Sequence, residues 1–418
     1  MKSSDERKLL QKNRRSFLLY VLKYGLPLFA LRRSFEVVTD LSPLHSMDAP
    51  EGWIKWMLRT GDGREEAVVF SEKLNRWLFS AMEIGLRRDR ASEKALRRQL
   101  RKKWRSIGFP LLRQNYSVSQ RSCMPFHNEE KVGMTSALVP GSQTVRIRRT
   151  CYYDAFLSNI AAGKKLVRRD PSGPRFSEDA VHGLLPPTDE KNRLLEEGRG
   201  SFFADGIGVS TLLLQRGEIC LWRQEPRSQS SPGLIVPTGS GSSDWSDCSR
   251  FSGDPDAFRK TLFYGMVREL REEAFHDVPA EDAFFEKTET RILGCFRWMR
   301  KAGKPEFVGI TRWKDPKDAM DYSLNADELV PKAYVRLEAE TVFQLRESIA
   351  GMISCSETEE GVCLAPGCSA PCAAALLFLD ELCRQACRTC GRCGSGTCRS
   401  CGKRTESVCF SDDEQIFA

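Results

Sequence analysis

Three glutamates stand close together in the segment Arg268-Glu269-Leu270-Arg271-Glu272-Glu273. Glu269, Glu272 and Glu273 are spaced at i, i+3 and i+4, so on a helix all three carboxylates project from one side. Like charges at that spacing repel by roughly a few tenths of a kcal/mol per pair, and a divalent cation removes that penalty. Mg²⁺ or Mn²⁺ suits such a set, because hard cations take carboxylates together with waters and substrate phosphates. The bland alternative is a solvated acidic helix face, tempered by Arg268 and Arg271 beside it. A second cluster is made of sulfur. Cys387, Cys390, Cys393, Cys398 and Cys401 repeat the Cys-x2-Cys step. Tetrahedral Zn²⁺ takes four thiolates from two such knuckles, and Cys387, Cys390, Cys398 and Cys401 make the simplest set. Its alternative is a low-complexity Gly/Ser/Arg/Cys tail without metal.

The elements that must position the glutamates are read from hydrophobic periodicity. Residues 257–275 predict one helix with Phe258, Leu262, Phe263, Met266, Val267 and Leu270 on its apolar face. Before it, the β-prone runs 207–214 and 219–224 flank the turn Gln215-Arg216-Gly217-Glu218 and predict a hairpin. A short strand at 233–239 and an irregular Gly-, Ser- and Asp-rich insertion at 244–256 lead into the helix. Two further strands, 291–298 and 306–313, follow it. This alternation of strands and helix predicts a mixed α/β fold.

Arg-Glu-Leu-x-Glu-Glu is the second half of the Nudix box. With this order of elements, residues 206–313 resemble a divergent Nudix hydrolase domain. The resemblance implies an α/β/α sandwich with a mixed sheet, in which Glu269, Glu272 and Glu273 hold Mg²⁺ or Mn²⁺ against a pyrophosphate. It implies that Arg268 orients a glutamate of the box through a charge-assisted hydrogen bond, and that the metal lowers the pKa of an attacking water. The activity implied is hydrolysis of a nucleoside diphosphate linked to another moiety, with Arg268, Glu272 and Glu273 as catalytic residues. Some members need a general base on a loop or strand beyond the helix. Glu306 is best placed for it by order, its alternative being a surface carboxylate on a strand edge. Arg223 on the hairpin, and Arg297 or Arg312 on later strands, are candidates for binding phosphate. The leading half of the box departs from the pattern. Its first glycine and first glutamate fall on Asp254 and Lys260, an insertion follows Gly239, and Asp244 or Asp247 stand where an acid is missing. The closing glycine falls on Phe275, beside His276. A catalytically inactive Nudix-like module that binds a nucleotide or scaffolds a partner is the alternative.

At 418 residues the chain has room for two or three domains. We divide it into a mostly helical region at 1–115, an irregular connecting region with some strand at 116–205, a Nudix-like domain at 206–350 and a Cys-rich tail at 351–418. With 41% hydrophobic and 29% charged residues, the composition is that of an ordinary globular protein able to bury a core. The net charge of +8 is concentrated between Arg87 and Arg105, which draws a polyanion such as nucleic acid or simply solvates a helix face. Leu96, Leu100, Trp104 and Ile107 form the apolar face of that helix, and Trp53, Trp56, Trp77 and Phe79 supply bulk for a small helical core. Val145 and Ile147 alternate with Arg146 and Arg148, a half-buried strand pattern. The apolar run 16–31 is interrupted by Lys23 and Pro27 and is followed by no cleavage site, so it predicts a buried amphipathic helix rather than a membrane span. Residues 324–350 predict one or two helices, and Ala373–Leu382 another. Five of the 16 cysteines lie in the first 350 residues and the other eleven between Cys355 and Cys409. A reduced, cytoplasmic body with a separate cysteine-rich tail fits that distribution better than an oxidised secreted fold does.

Overall fold

The apolar run that opens the hairpin becomes the strand Gly208–Gln215, buried along its whole length. A strand apolar on both faces needs cover on both. Val209 and Leu213 meet the helix Ala257–Ala274, through Phe258, Leu262, Met266, Val267 and Leu270. Leu212 and Leu214 point the other way, onto Leu376 and Leu379 of the helix Ala370–Arg388. The sheet is thus packed between helices. Each leucine buried this way contributes on the order of 1.5–3 kcal/mol.

The computed structural model describes residues 4–24, 35–59, 65–80, 83–103, 108–122, 126, 128–168, 181–182, 185–194, 203–228, 231–278, 281–355, 362–388 and 403–410. Among these the architecture is mixed α/β, with a large mixed sheet and two smaller three-stranded ones. Gly208–Gln215 pairs antiparallel with Glu218–Gln224, as the turn chemistry predicts, and parallel with Lys304–Trp313. Lys304–Trp313 forms a long antiparallel pair with Thr288–Trp298, bulged between Ile292 and Gly294. The strand Gly239–Ser242 pairs with Gly208–Gln215 and lies directly against the helix that carries the glutamates.

The sheet does not stop at residues 206–313. Where the sequence reading expected a mostly helical region at 1–115, Glu65–Phe70 pairs with Thr288–Trp298, and Ile54–Arg59 pairs with Glu65–Phe70. Met-, Trp- and Val-rich stretches of six residues suit strands, and Trp56 packs edge-on against Phe70 at 4.8 Å. The helices Ser4–Tyr24, Arg90–Lys103 and Gly108–Ser122 do form, around a core that includes Phe17, Leu96, Leu100, Phe109 and Tyr153. Thr144–Cys151 is a strand, flanked by Gly85–Arg88 and Glu130–Met134. At 324–350 the structure has a strand, Leu329–Glu338, as well as the helix Val342–Met352. The helix Ala370–Arg388 lies inside the stretch expected to be a separate tail, yet Ala373, Ala375, Leu376 and Leu379 are fully buried against the sheet. Among the described residues, no helix is long and apolar enough to cross a membrane.

Candidate functional site

The glutamates of the helix reach the edge strand Gly239–Ser242, and glycine makes that approach feasible. A Cβ on Gly239 would sit 2.5 Å from the Leu270 backbone, and one on Gly241 would sit 2.1 Å from the Glu269 carboxylate carbon. Two N–H groups of this strand point to the helix and are satisfied there. Ser242 N donates to Glu269 Oε1 at 3.2 Å and Ser240 N donates to Glu273 Oε2 at 2.8 Å. Glu273 is 1% exposed, and its other oxygen has no donor among the described residues. Burial, then the charges of Glu328 and Glu269, push its carboxyl well above the ordinary range. Burial of its carboxyl, then the charge of Glu269, raise Glu328 as well. The structure therefore brings Glu269 and Glu273 together with Glu328, a residue the sequence reading missed. Glu328 precedes the strand Leu329–Glu338, and the chain returns to the helix there because Asn325 N donates to the Glu273 carbonyl at 2.9 Å. Only an acid on a loop after the helix would have hinted at it.

Glu272 is placed differently. It is half-exposed and engaged by Arg268 Nη1 at 3.3 Å and Arg271 Nη2 at 3.7 Å. Arg268, 7% exposed, is the hub of the site. Its Nη2 donates to the Ser242 carbonyl at 2.8 Å, Nε reaches Asp247 Oδ1 at 3.3 Å, and Nη1 lies 2.9 Å from Glu269 Oε1. Burial opposes its charge, but Glu269, Asp247, Asp244 and Glu272 outweigh that and hold it protonated. Asp244 and Asp247 stand in the polar stretch at 244–256. They form a capping box at the start of the helix Trp245–Arg250, with Asp244 N donating to Asp247 Oδ2 at 2.8 Å. Lys131 is bonded to Asp244 from the other side. The two aspartates thus clamp Arg268. Phe275, at the position of the closing glycine, is fully buried among Phe284, Trp313 and Tyr322. His276 is exposed and its backbone N–H donates to the Ser323 carbonyl.

Glu306 does not join this cluster. It is 4% exposed and pairs with Lys304 Nζ at 2.6 Å, so it is no surface carboxylate. Its register partner is Gly208, where a Cβ would collide with the Glu306 carboxylate. Side chains alternate across a strand, and Glu306 shares a face with Val308 and Ile310, which pack beneath the helix Ala370–Arg388. The glutamate helix covers the other face. Glu306 instead lines a cleft of about 200 Å³, together with Lys131, Asn159, Ser210, Ser240, Ser242, Lys301 and Lys304. Burial and the neighbouring Lys304 pull the Lys301 ammonium down to about 7, with Glu306 opposing. Arg223 is exposed and donates to the Gly233 carbonyl at 2.7 Å, and Arg297 holds the Gly303 carbonyl. Arg312 pairs with Glu289 at 2.9 Å and stacks on Phe410. The cations around the cleft are therefore lysines, contributed partly by the strand Glu130–Met134, which precedes residues 206–313.

Among the described residues, no three His, Cys, Asp or Glu side chains converge as a ready-made cation cage. Of the zinc candidates, Cys387 is buried in the core with Cys383 and Cys409, and Cys390, Cys398 and Cys401 lie outside the described residues. What the site offers is two buried glutamates on one strand edge, a third acid from a loop, a locked arginine, and a lysine-lined cleft across the strand. The sequence matches no known family model, and no curated protein is similar to it. Among solved structures, DR0079 from Deinococcus radiodurans is similar at 19% identity over 35% of this chain and 73% of that chain, with a TM-score of 0.22, a likeness too slight to carry any argument.

Proposed function

We propose that this chain is a Nudix-type pyrophosphohydrolase, an α/β/α sandwich that cleaves a nucleoside diphosphate linked to another moiety with the help of Mg²⁺ or Mn²⁺. The observation that carries the reading is Glu273: a buried carboxylate whose free oxygen has no donor and which crowds against Glu269 and Glu328. A fully buried carboxylate in acidic company stays ionised only with a cation beside it. Mg²⁺ suits an incomplete protein cage, since one or two carboxylates suffice when waters and phosphates supply the other ligands. Glu269 and Glu273 would hold it, with Glu328 in reach. Bound there, the metal would neutralise phosphate charge and acidify a water.

The chain's own groups divide the remaining work. Arg268 fixes the Gly239–Ser242 strand and the Glu269 carboxylate in one geometry, so the ligands need not reorganise. Glu328 is the better candidate for accepting a proton, because Glu306 is already bonded to Lys304 and lies on the other face of the sheet. Lys131 and Lys304 bring cationic groups to the cleft, each beside its own carboxylate, and Lys301, drawn down to about 7, adds a charge that is only partly present at neutral pH. The reduced thiols buried in the core fit a cytoplasmic location.

The test is release of a monophosphate from a panel of nucleoside diphosphate derivatives with Mg²⁺. Glu273→Gln is expected to lower kcat/KM at least about a hundredfold, the several kcal/mol that a metal contact supplies. Glu272→Gln is expected to lower it less. Equal rates in wild type and Glu273→Gln would sink the assignment. One observation favours a second reading: Glu269 and Glu273 already satisfy the amides of Ser242 and Ser240. If that is their whole role, the protein is a non-hydrolytic binding module, and nucleotides will raise its Tm without being turned over.

A further inference from the structure

We infer that the basic outer face of the helix Arg90–Lys103 binds the phosphate backbone of a nucleic acid, irrespective of its sequence. Nothing in this depends on the glutamate site. Leu96 and Leu100 are 1% and 2% exposed in the N-terminal core, which fixes the rotation of the helix. Arg90, Lys94, Arg97 and Arg98 are thereby left exposed. Both acids of the segment are already committed. Glu93, itself buried, accepts from Arg88 at 2.9 Å and from Arg97 at 2.9 Å, and Asp89 accepts from the Ser92 amide at 2.9 Å. On the adjoining strand, Glu130 is paired with Arg149. Arg87, Arg90, Lys94, Arg98 and Arg146 are left with no acidic partner among the described residues.

Three of these cations form one row on the helix, and Arg87 and Arg146 share a face of two neighbouring strands. Arg90, Lys94 and Arg98 follow at i, i+4 and i+8, a row that rises about 6 Å per step. Arg87 stands opposite Arg146 in parallel register, a like-charge pair that destabilises the sheet. Arg148 lies on the same strand face as Arg146, two residues on, and donates to Ser92 Oγ at 2.9 Å. That bond packs the Leu96 side of the helix toward the strands and leaves the row of Arg90, Lys94 and Arg98 facing outward. The repulsion among them is relieved when they pair with phosphates and release the counterions condensed on the nucleic acid. A lipid surface is the weaker match. Insertion needs exposed apolar side chains among the cations, and Leu19, Leu22 and Val118 are exposed on other helices, with none between Gly85 and Arg101.

The experiment titrates the full chain into a fluorescein-labelled single-stranded oligonucleotide and reads anisotropy at several salt concentrations. Three phosphate contacts give a slope of about −2 in log K against log salt, so affinity is expected to fall about twentyfold from 50 to 200 mM. Arg90→Glu/Lys94→Glu/Arg98→Glu is expected to abolish binding, and the milder Arg90→Gln/Lys94→Gln/Arg98→Gln to weaken it at least tenfold. Lys73→Glu/Lys317→Glu/Lys332→Glu changes the net charge equally at other exposed sites and is expected to bind nearly as wild type. Loss of binding in this control as large as in the first variant would show that only net charge matters and overturn the proposal. So would wild-type affinity in the glutamine variant, or binding to phosphatidylserine vesicles with none to the oligonucleotide.

Discussion

Glu273 ties stability to pH in a direction opposite to most carboxylates. Burial and the charges of Glu328 and Glu269 raise its pKa above the ordinary 4.5. A group raised on folding binds a proton more tightly in the folded state, so stability is full below the unfolded pKa and is lost as pH climbs through the folded one. Without divalent metal, the protein should therefore lose stability as pH rises above about 4.5. Glu273→Gln keeps an acceptor for Ser240 N and removes the charge. It should raise the Tm at pH 8 by a few degrees and change it little at pH 4, read in thermal melts with a chelator present. A Tm lower than wild type at pH 8 would mean that the carboxylate is stabilised by a contact other than these. None of this was legible from spacing. The sequence placed Glu269, Glu272 and Glu273 on one side of a helix, which is correct. It could not tell that Arg268 and Arg271 take Glu272 while Glu328 joins Glu273, because that grouping depends on how a loop more than fifty residues later packs back onto the helix.

At the level of elements, period and turn chemistry were reliable guides. The runs 207–214, 219–224, 291–298 and 306–313 fall on the observed strands Gly208–Gln215, Glu218–Gln224, Thr288–Trp298 and Lys304–Trp313, and the helix ends within a residue of its expected limits. The polar insertion was opaque. Its aspartates read as loop residues, and only their capping of the helix Trp245–Arg250 reveals that they clamp Arg268. The short strand before them sets the separation between sheet and glutamates. Because a Cβ at Gly239 would come within 2.5 Å of the Leu270 backbone, Gly239→Ala must push strand and helix apart. We expect a loss of about 1–3 kcal/mol from overpacking and weaker metal-dependent activity. Gly351→Ala is the natural control, since a Cβ there meets nothing within 4 Å and its backbone lies in a helix. It should be neutral or slightly stabilising, and a comparable loss in both variants would deny Gly239 its role in the approach.

Across the whole molecule, the boundaries drawn from composition are crossed by the sheet. Glu65–Phe70 pairs with Thr288–Trp298 over more than two hundred residues of chain, a pairing that no local pattern encodes. In the cysteine-dense C-terminal stretch the apolar helix at Ala373–Leu382 was legible from its alanines and leucines, but its place against the sheet was not. Those side chains put the helix Ala370–Arg388 over Leu212, Leu214, Val308 and Ile310, on the face of the sheet opposite the glutamate helix. If that helix is part of the central core, it must unfold with the sheet. Leu376 is fully buried there, and Leu376→Ala should cost about 2–5 kcal/mol through lost transfer energy and the cavity left behind. The loss should appear as a lower midpoint of denaturant unfolding, in a single transition shared by tryptophan fluorescence and far-UV circular dichroism. Amide exchange along Lys304–Trp313 should accelerate with it, since the two elements share one core. Unchanged exchange in that strand, beside faster exchange confined to Ala370–Arg388, would instead make the helix an independently folding appendage and leave that face of the sheet to be held by other contacts.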